Sequence, residues 1–476
     1  MGQDTVNGNK TFGRADIGKA IDYVLLTVLG VACLQYVQFY GKLFAQAHIK
    51  FSGLGFPIFV GEFLLAGCSV LLLLRFYVSP IPWNKWYGII LVYLGFVVVK
   101  ALFGYSQWGA LAFRDAAMFY YPLFAVIGYF CYRSEYFNRW VILLCYAVLL
   151  FMCFMKHFND FWVPIRIFLG LVLAFRFPNR KVGIILAVAM MLVLPYRFLL
   201  DTARMLILGN FMGAVFFILS CSFMFEKKRR SIALFTGFIL IVLLAAYVFY
   251  FSGYRPAQNI FNIPRLIELF KERNREVKEK LHDFKMSQPE EFRLYNPDVN
   301  DKDEDGRPVI RDIASRMTET TLPVPSEIGK GDDKLGNSLF RLMIWHDLGA
   351  ELWKEKPLLG FDFGKPFRSI SVESTRAALT EWSRDGWIAI HNSYLNMIYR
   401  AGILGLGLIT LMSVVFAQMT GIFIRNRNIA GLLLCSGLVV LFVASFFGVI
   451  LELPYTAIPI WCLFGMTLSM AYRTNH

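Results

Sequence analysis

The chain has 476 residues, of which 57% are hydrophobic and 16% aromatic, while only 17% carry charge. A mean hydropathy of +0.52 excludes an ordinary soluble chain and points to an integral membrane protein. The formal charge of +14 reads as a topology signal with attraction to anionic lipid, and not as a nucleic-acid footprint.

Met1 to Lys19 are polar, and the first apolar run has no small-residue cleavage site, so no removable signal peptide is expected. Apolar runs of span length then recur near 20–40, 56–75, 86–103, 116–132, 140–155, 161–176, 182–199, 205–225 and 231–251. A polar stretch interrupts them, and three more runs follow near 392–424, 429–450 and 454–472. The reading is an all-α polytopic membrane protein with about 12 transmembrane helices and one large, mainly helical exterior loop. Its units are an amino-terminal membrane domain, 1–251, with about nine spans, the loop, 252–390, and a carboxy-terminal membrane domain, 391–476, with about three spans.

Orientation follows from the basic residues of the short loops. With the amino terminus cytoplasmic, the inside segments collect Lys10, Arg14, Lys19, Arg75, Lys85, Arg133, Arg139, Arg176, Arg180, Lys181, Arg425, Arg427, Arg473 and the run Lys227-Lys228-Arg229-Arg230. The outside loops hold Lys42, Lys50, Arg114, Lys156, Arg197 and Arg204. Both termini are therefore expected in the cytoplasm and the large insert outside.

All eight cysteines fall within predicted spans, and no disulfide framework or zinc spacing is present. Charges are costly in a bilayer, so their positions are informative. Glu62, Lys100, Arg114, Asp115, Arg166, Arg197, Asp201, Arg204 and Glu452 all fall in the outer half of the predicted membrane or at its edge. As a set they predict a polar cavity open to the exterior, in which several guanidinium groups could hold a diphosphate. The hairpin from Leu194 to Arg204 is its densest part.

Within the insert, 262–285 has the alternation of an amphipathic helix. Asp301, Asp303, Asp305, Gly306 and Asp312 fit the start of a calcium loop, against the plainer reading of a solvated acidic turn. A helix is expected from Leu339 to Lys356, capped by Asn337 or Ser338 and closed by Pro357. On it Arg341 and Trp345 share a face with Leu348 and Leu352, whereas His346 and Asp347 point elsewhere. Pro357 to Gly364 reads as a turn. His391-Asn392 follows at the amino end of a span, with Gly402 and Gly405 positioned for close helix packing. A neutral imidazole there could accept a proton from an attacking hydroxyl or amine, and Asn392 could hold the ring or the acceptor.

The Arg341–Trp345 helix, the Pro357–Gly364 turn and His391-Asn392-x9-Gly402-x-x-Gly405 resemble the O-antigen ligase and polymerase superfamily of bacterial membrane glycosyltransferases. Thr202-Ala203-Arg204 is similar to a Ser-Arg or Thr-Arg pair of that family, with Ala203 intervening. The resemblance implies metal-independent, inverting transfer of a glycan from undecaprenyl diphosphate to lipid A core or a glycan acceptor, with no cofactor. It assigns His391 to the acceptor nucleophile, and Arg341 and Arg204 to the diphosphate. Arg197, Asn392, Trp345, Arg166 and Arg114 are substrate-binding candidates. It further implies an inner-membrane location with a periplasmic site, membrane lipid as a partner, and ligase, polymerase or protein O-glycosyltransferase activity. A transporter or a non-catalytic flippase is the reading from a different class.

Overall fold

The computed structural model describes residues 14–34, 38–39, 42–50, 57–78, 85–109, 111–131, 139–154, 163–200, 204–225, 236–237, 271, 275, 333–367, 369 and 390–473. The predicted span at 231–251 (apart from 236–237), the basic run at 227–230, Asp201, Thr202, Ala203 and the Asp301–Asp312 turn lie outside the described residues. So does the expected amphipathic helix at 262–285, apart from Lys271 and Arg275, which are helical.

The described chain is mostly helical. It runs α1 (Arg14–Ala32), α2 (Val60–Val78), α3 (Lys85–Trp108), α4 (Leu111–Tyr120), α5 (Leu123–Cys131), α6 (Arg139–Phe154), α7 (Val163–Phe175), α8 (Arg180–Leu200) and α9 (Arg204–Ser222). Within the insert lies α10 (Asp333–Glu355), and after it come α11 (Ser393–Ala401), α12 (Ile403–Arg425), α13 (Ile429–Ser445) and α14 (Pro454–Arg473). Among the described residues, four helices are long and apolar enough to cross a membrane: Val60–Val78, Ile90–Trp108, Ile403–Arg425 and Pro454–Arg473. The chain is therefore that of a multi-pass membrane protein.

Four expectations change. The run near 116–132 is two helices, because Pro122 cannot donate a ladder hydrogen bond and disfavours a helical Tyr121. The run near 392–424 is also two, broken at Gly402, whose φ of +56 ends one helix and starts the next. Helix α10 begins at Asp333, so Asn337 and Ser338 lie inside it instead of capping it. In the sequence no proline falls between Ser326 and Lys356, so nothing in the chain forces a helix start at Asn337. Finally, the all-α reading omits two short antiparallel ladders, Gln38–Phe39 with Lys42–Leu43 and His48–Lys50 with Pro57–Phe59.

One large core joins α1, α2, α5, α7, α9, α13 and α14. Small residues set the closest crossings: a Cβ added to Gly465 would lie 1.9 Å from the Ala125 carbonyl oxygen, and one on Gly128 2.7 Å from that of Cys462. Helices α5 and α14 thus meet backbone to backbone, the approach expected where lipid supplies no hydrophobic drive between helices. Asp22 and Arg75 join α1 to α2 through a 2.7 Å ion pair.

A smaller core positions the insert. Met343, Ile344 and Leu348 of α10 pack with Phe361, Phe367, Ile390 and Tyr399, and Trp345 and Leu352 flank them. The turn after α10 sends Phe361 and Phe367 into this cluster, with ring centroids 4.6 and 5.5 Å from Tyr399. Phe363 goes the other way, stacking on Phe119 at 5.1 Å. The turn therefore bridges the insert to the membrane core.

Candidate active site

The site is built at the amino end of α11. Asn392 is its N-cap: the side-chain oxygen accepts the Leu395 N–H at 3.0 Å. His391, just before it, has φ of +52, a left-handed conformation costing ~1–3 kcal/mol for a residue with a side chain. Such strain persists only where the surroundings impose it, and here they do. Trp345 of α10 donates its indole N–H to the carbonyl of Ile390 at 2.9 Å, fixing the residue before His391. On the other side Ser393 accepts the N–H groups of Ile450 and Leu451 at 2.9 and 3.1 Å, and donates to Glu452 or the Gly448 carbonyl. Asn396 donates to the second oxygen of Glu452 at 3.1 Å.

Arg341 lies one helical turn before Trp345 and acts directly on the histidine. Burial, and next the Arg341 charge, pull the His391 imidazole down to about 4, so it is neutral at pH 7. Burial also lowers Arg341 from its usual value, and its Nε atom is buried without a hydrogen-bond partner. A guanidinium in this condition is suited to an anion, because an incoming phosphate oxygen would relieve its desolvation. Burial raises Glu452, between α13 and α14, to about 7, against the opposing hydrogen bonds from Ser393 and Asn396.

A second charged group secures the turn. Asp115 of α4 pairs with Arg400 of α11 at 3.1 Å, with side chains only 7% and 3% exposed. Asp115 accepts the Gly364 N–H at 2.7 Å, while Arg400 donates to the carbonyls of Asp362 and Lys365 at 3.1 and 2.7 Å. Gly360 and Gly402 allow the chains to meet here: a Cβ on Gly402 would lie 2.1 Å from the Leu358 carbonyl oxygen. Gly405 likewise abuts the Met397 carbonyl, so the paired glycines hold α12 tightly against α11.

The structure thus brings Arg341, Trp345, His391 and Asn392 together where α10 meets the start of α11. Arg114 is exposed on α4 and Arg166 is buried on α7. Arg197 lies in α8 and Arg204 begins α9, and their side chains lie outside the described part. His346 is exposed, and Asp347 accepts from Ser369 at 2.6 Å, a structural contact. The expected set of edge charges divides into separate groups: Glu62 accepts from Tyr120 and Tyr121, Asp115 pairs with Arg400, and Glu452 sits beside Ser393. Arg400 is the residue that sequence reasoning missed, although a lone arginine two positions before Gly402 in an apolar run was a visible signal.

No curated protein matches the chain. Residues 190–410 match the family model of the O-antigen ligase, a segment running from α8 through the insert into α12 and containing Arg197, Arg204, Arg341, Trp345, His391, Asn392 and Arg400. This family comprises glycosyltransferase-like ligases and polymerases. Residues 190–410 are therefore similar to an O-antigen ligase domain.

Proposed function

We propose that the protein is a ligase that moves a glycan from undecaprenyl diphosphate to lipid A core on the periplasmic face of the inner membrane. The observation that carries this reading is the junction of α10 with the start of α11, where Trp345 donates to the Ile390 carbonyl at 2.9 Å and the Arg341 charge acts on His391, inside the matched segment. The topology that goes with it has about twelve spans, both termini cytoplasmic and the insert of 252–390 outside.

The acceptor hydroxyl oxygen bonds to the anomeric carbon from the face opposite the diphosphate, inverting that centre. Its proton passes to the neutral imidazole of His391, and the bond to the diphosphate breaks with its electron pair leaving on phosphate oxygen. Arg341, with Arg204 and Arg197 from the α8–α9 side, stabilises that developing charge and needs no metal or cofactor. Asn392, Trp345, Arg166 and Arg114 bind the remaining donor and acceptor groups. The pairing also supplies an ordering device. While Arg341 is unopposed, it suppresses protonation of His391. Once a diphosphate neutralises Arg341, the imidazole becomes a stronger base, so proton removal waits for the donor.

The test is surface-glycan analysis of a deletion strain complemented with wild type or His391→Ala. Full-length polymer accumulating on undecaprenyl diphosphate and missing from lipid A core supports the ligase. Single repeat units on core would identify a polymerase. Unchanged glycan in the deletion strain would remove both.

A further inference from the structure

The turn that follows α10 carries more exposed apolar surface than an aqueous loop should. Leu358 and Leu359 are 66% and 65% exposed, and Trp353 at the end of α10 is 83% exposed. Ile403 and Leu404, which open the span-length helix α12, are exposed beside them. Contacts along α3 show how far the turn descends. Gly364 lies against Trp108, the Phe363 carbonyl against Gly104, and the Leu359 carbonyl accepts from the Lys100 ammonium. These three positions step down the candidate span Ile90–Trp108 from its end. Lys100 is eight residues inside that end, roughly 12 Å at the rise of an α-helix.

Irregular backbone at membrane depth is tolerated where its polar groups are satisfied within the protein, and this turn meets that requirement. Lys100 takes the Leu359 carbonyl, the Ile403 N–H takes the Leu358 carbonyl at 2.9 Å, and the Gly360 and Phe361 N–H groups reach Lys356 and Tyr399 at 3.0 and 2.7 Å. The leucine side chains are left facing outward. Trp353, Lys354 and Lys356, all exposed, precede them in the order expected at a headgroup boundary.

We infer that Pro357–Phe361 is a re-entrant wedge whose Leu358 and Leu359 side chains contact phospholipid acyl chains in the leaflet on the side of the insert. The wedge is flanked by α3 and α12, two helices long enough to span, so its lipid contact continues theirs. It anchors the carboxyl end of α10, and through α10 the position of Arg341, to the bilayer and not to the aqueous part of the insert.

The experiment uses the full chain in phospholipid nanodiscs, with the photo-crosslinker p-benzoylphenylalanine at position 359 or, as an exposed control on α10, at position 346. Intact-mass analysis after irradiation should show phospholipid adducts several-fold more abundant at 359 than at 346. Equal adduct levels, or none at 359, overturn the inference. A second readout needs no change in the wedge. Trp353 fluorescence, taken as the difference between wild type and Trp353→Phe, should be quenched by lipids brominated near the headgroup end of the chain and weakly by aqueous acrylamide. The reverse order also overturns it.

Discussion

Two charge groups, one centred on His391 just before α11 and one on Arg400 in its last turn, are built in opposite ways. Asp115 and Arg400 have opposite signs, and between them they satisfy three backbone groups of the 362–365 turn. Arg341 and His391 would be like charges, so the histidine is held neutral, and a buried Nε without a hydrogen bond is common to Arg341 and Arg400 and does not separate the two groups. Opposed signs tied to backbone groups of a turn serve to hold structure. Like signs held together by packing, by the Trp345 hydrogen bond and by a strained backbone leave binding energy available to an outside anion.

The largest effect should come from the pair of opposite charges. Arg400→Leu leaves Asp115 buried and uncompensated, and should lower folding stability by ~3–5 kcal/mol. It should reduce membrane abundance and the thermal midpoint of the purified protein. Arg341→Ala should do the opposite: transfer falls by ~10²–10³-fold from lost leaving-group stabilisation, while the thermal midpoint stays near wild type. If both variants lose stability equally, the distinction between the two groups fails.

The pH dependence sharpens the contrast. His391 is held at about 4 in the folded protein and lies near 6.5 when unfolded. The unfolded chain therefore binds a proton first, and stability falls as pH drops from about 6.5 toward about 4. Arg341→Met should raise the His391 midpoint and flatten that loss, as read by imidazole NMR and by melting between pH 4 and 7. A midpoint unchanged in the variant would leave burial as the whole cause. A smaller effect is expected from Trp345→Phe, which removes one hydrogen bond worth ~0.5–1.5 kcal/mol and loosens the His391 segment, seen as a modest drop in transfer. Smallest of all, Arg114→Ala, exposed on α4, should change melting by less than ~0.5 kcal/mol.

The helical membrane scaffold was readable from run length, since a bilayer imposes a minimum on every span. What run length hides is a break. Pro122 and Gly402 both sit inside apolar runs, and each divides one expected span into two helices. The shared face of Arg341 and Trp345 was readable from their spacing on one helix, whereas their grouping with His391 was implied only by the family resemblance. Arg400 was not, because its partner Asp115 is remote in the chain and only the turn between α10 and α11 brings them together. The depth of Leu358 and Leu359 was hidden for the same reason. A Pro-Leu-Leu-Gly turn reads as an aqueous loop until Lys100 and Gly104 are seen beneath it.

The most direct test of the central claim is transfer by the purified protein in nanodiscs, comparing wild type with His391→Gln at matched thermal stability, on an undecaprenyl-diphosphate glycan and lipid A core. Wild type should form glycosylated core in the presence of chelator, and His391→Gln should form almost none while still binding the donor. Transfer by His391→Gln at the wild-type rate would contradict the assignment of proton removal to this histidine, and with it the account of the Arg341 pairing.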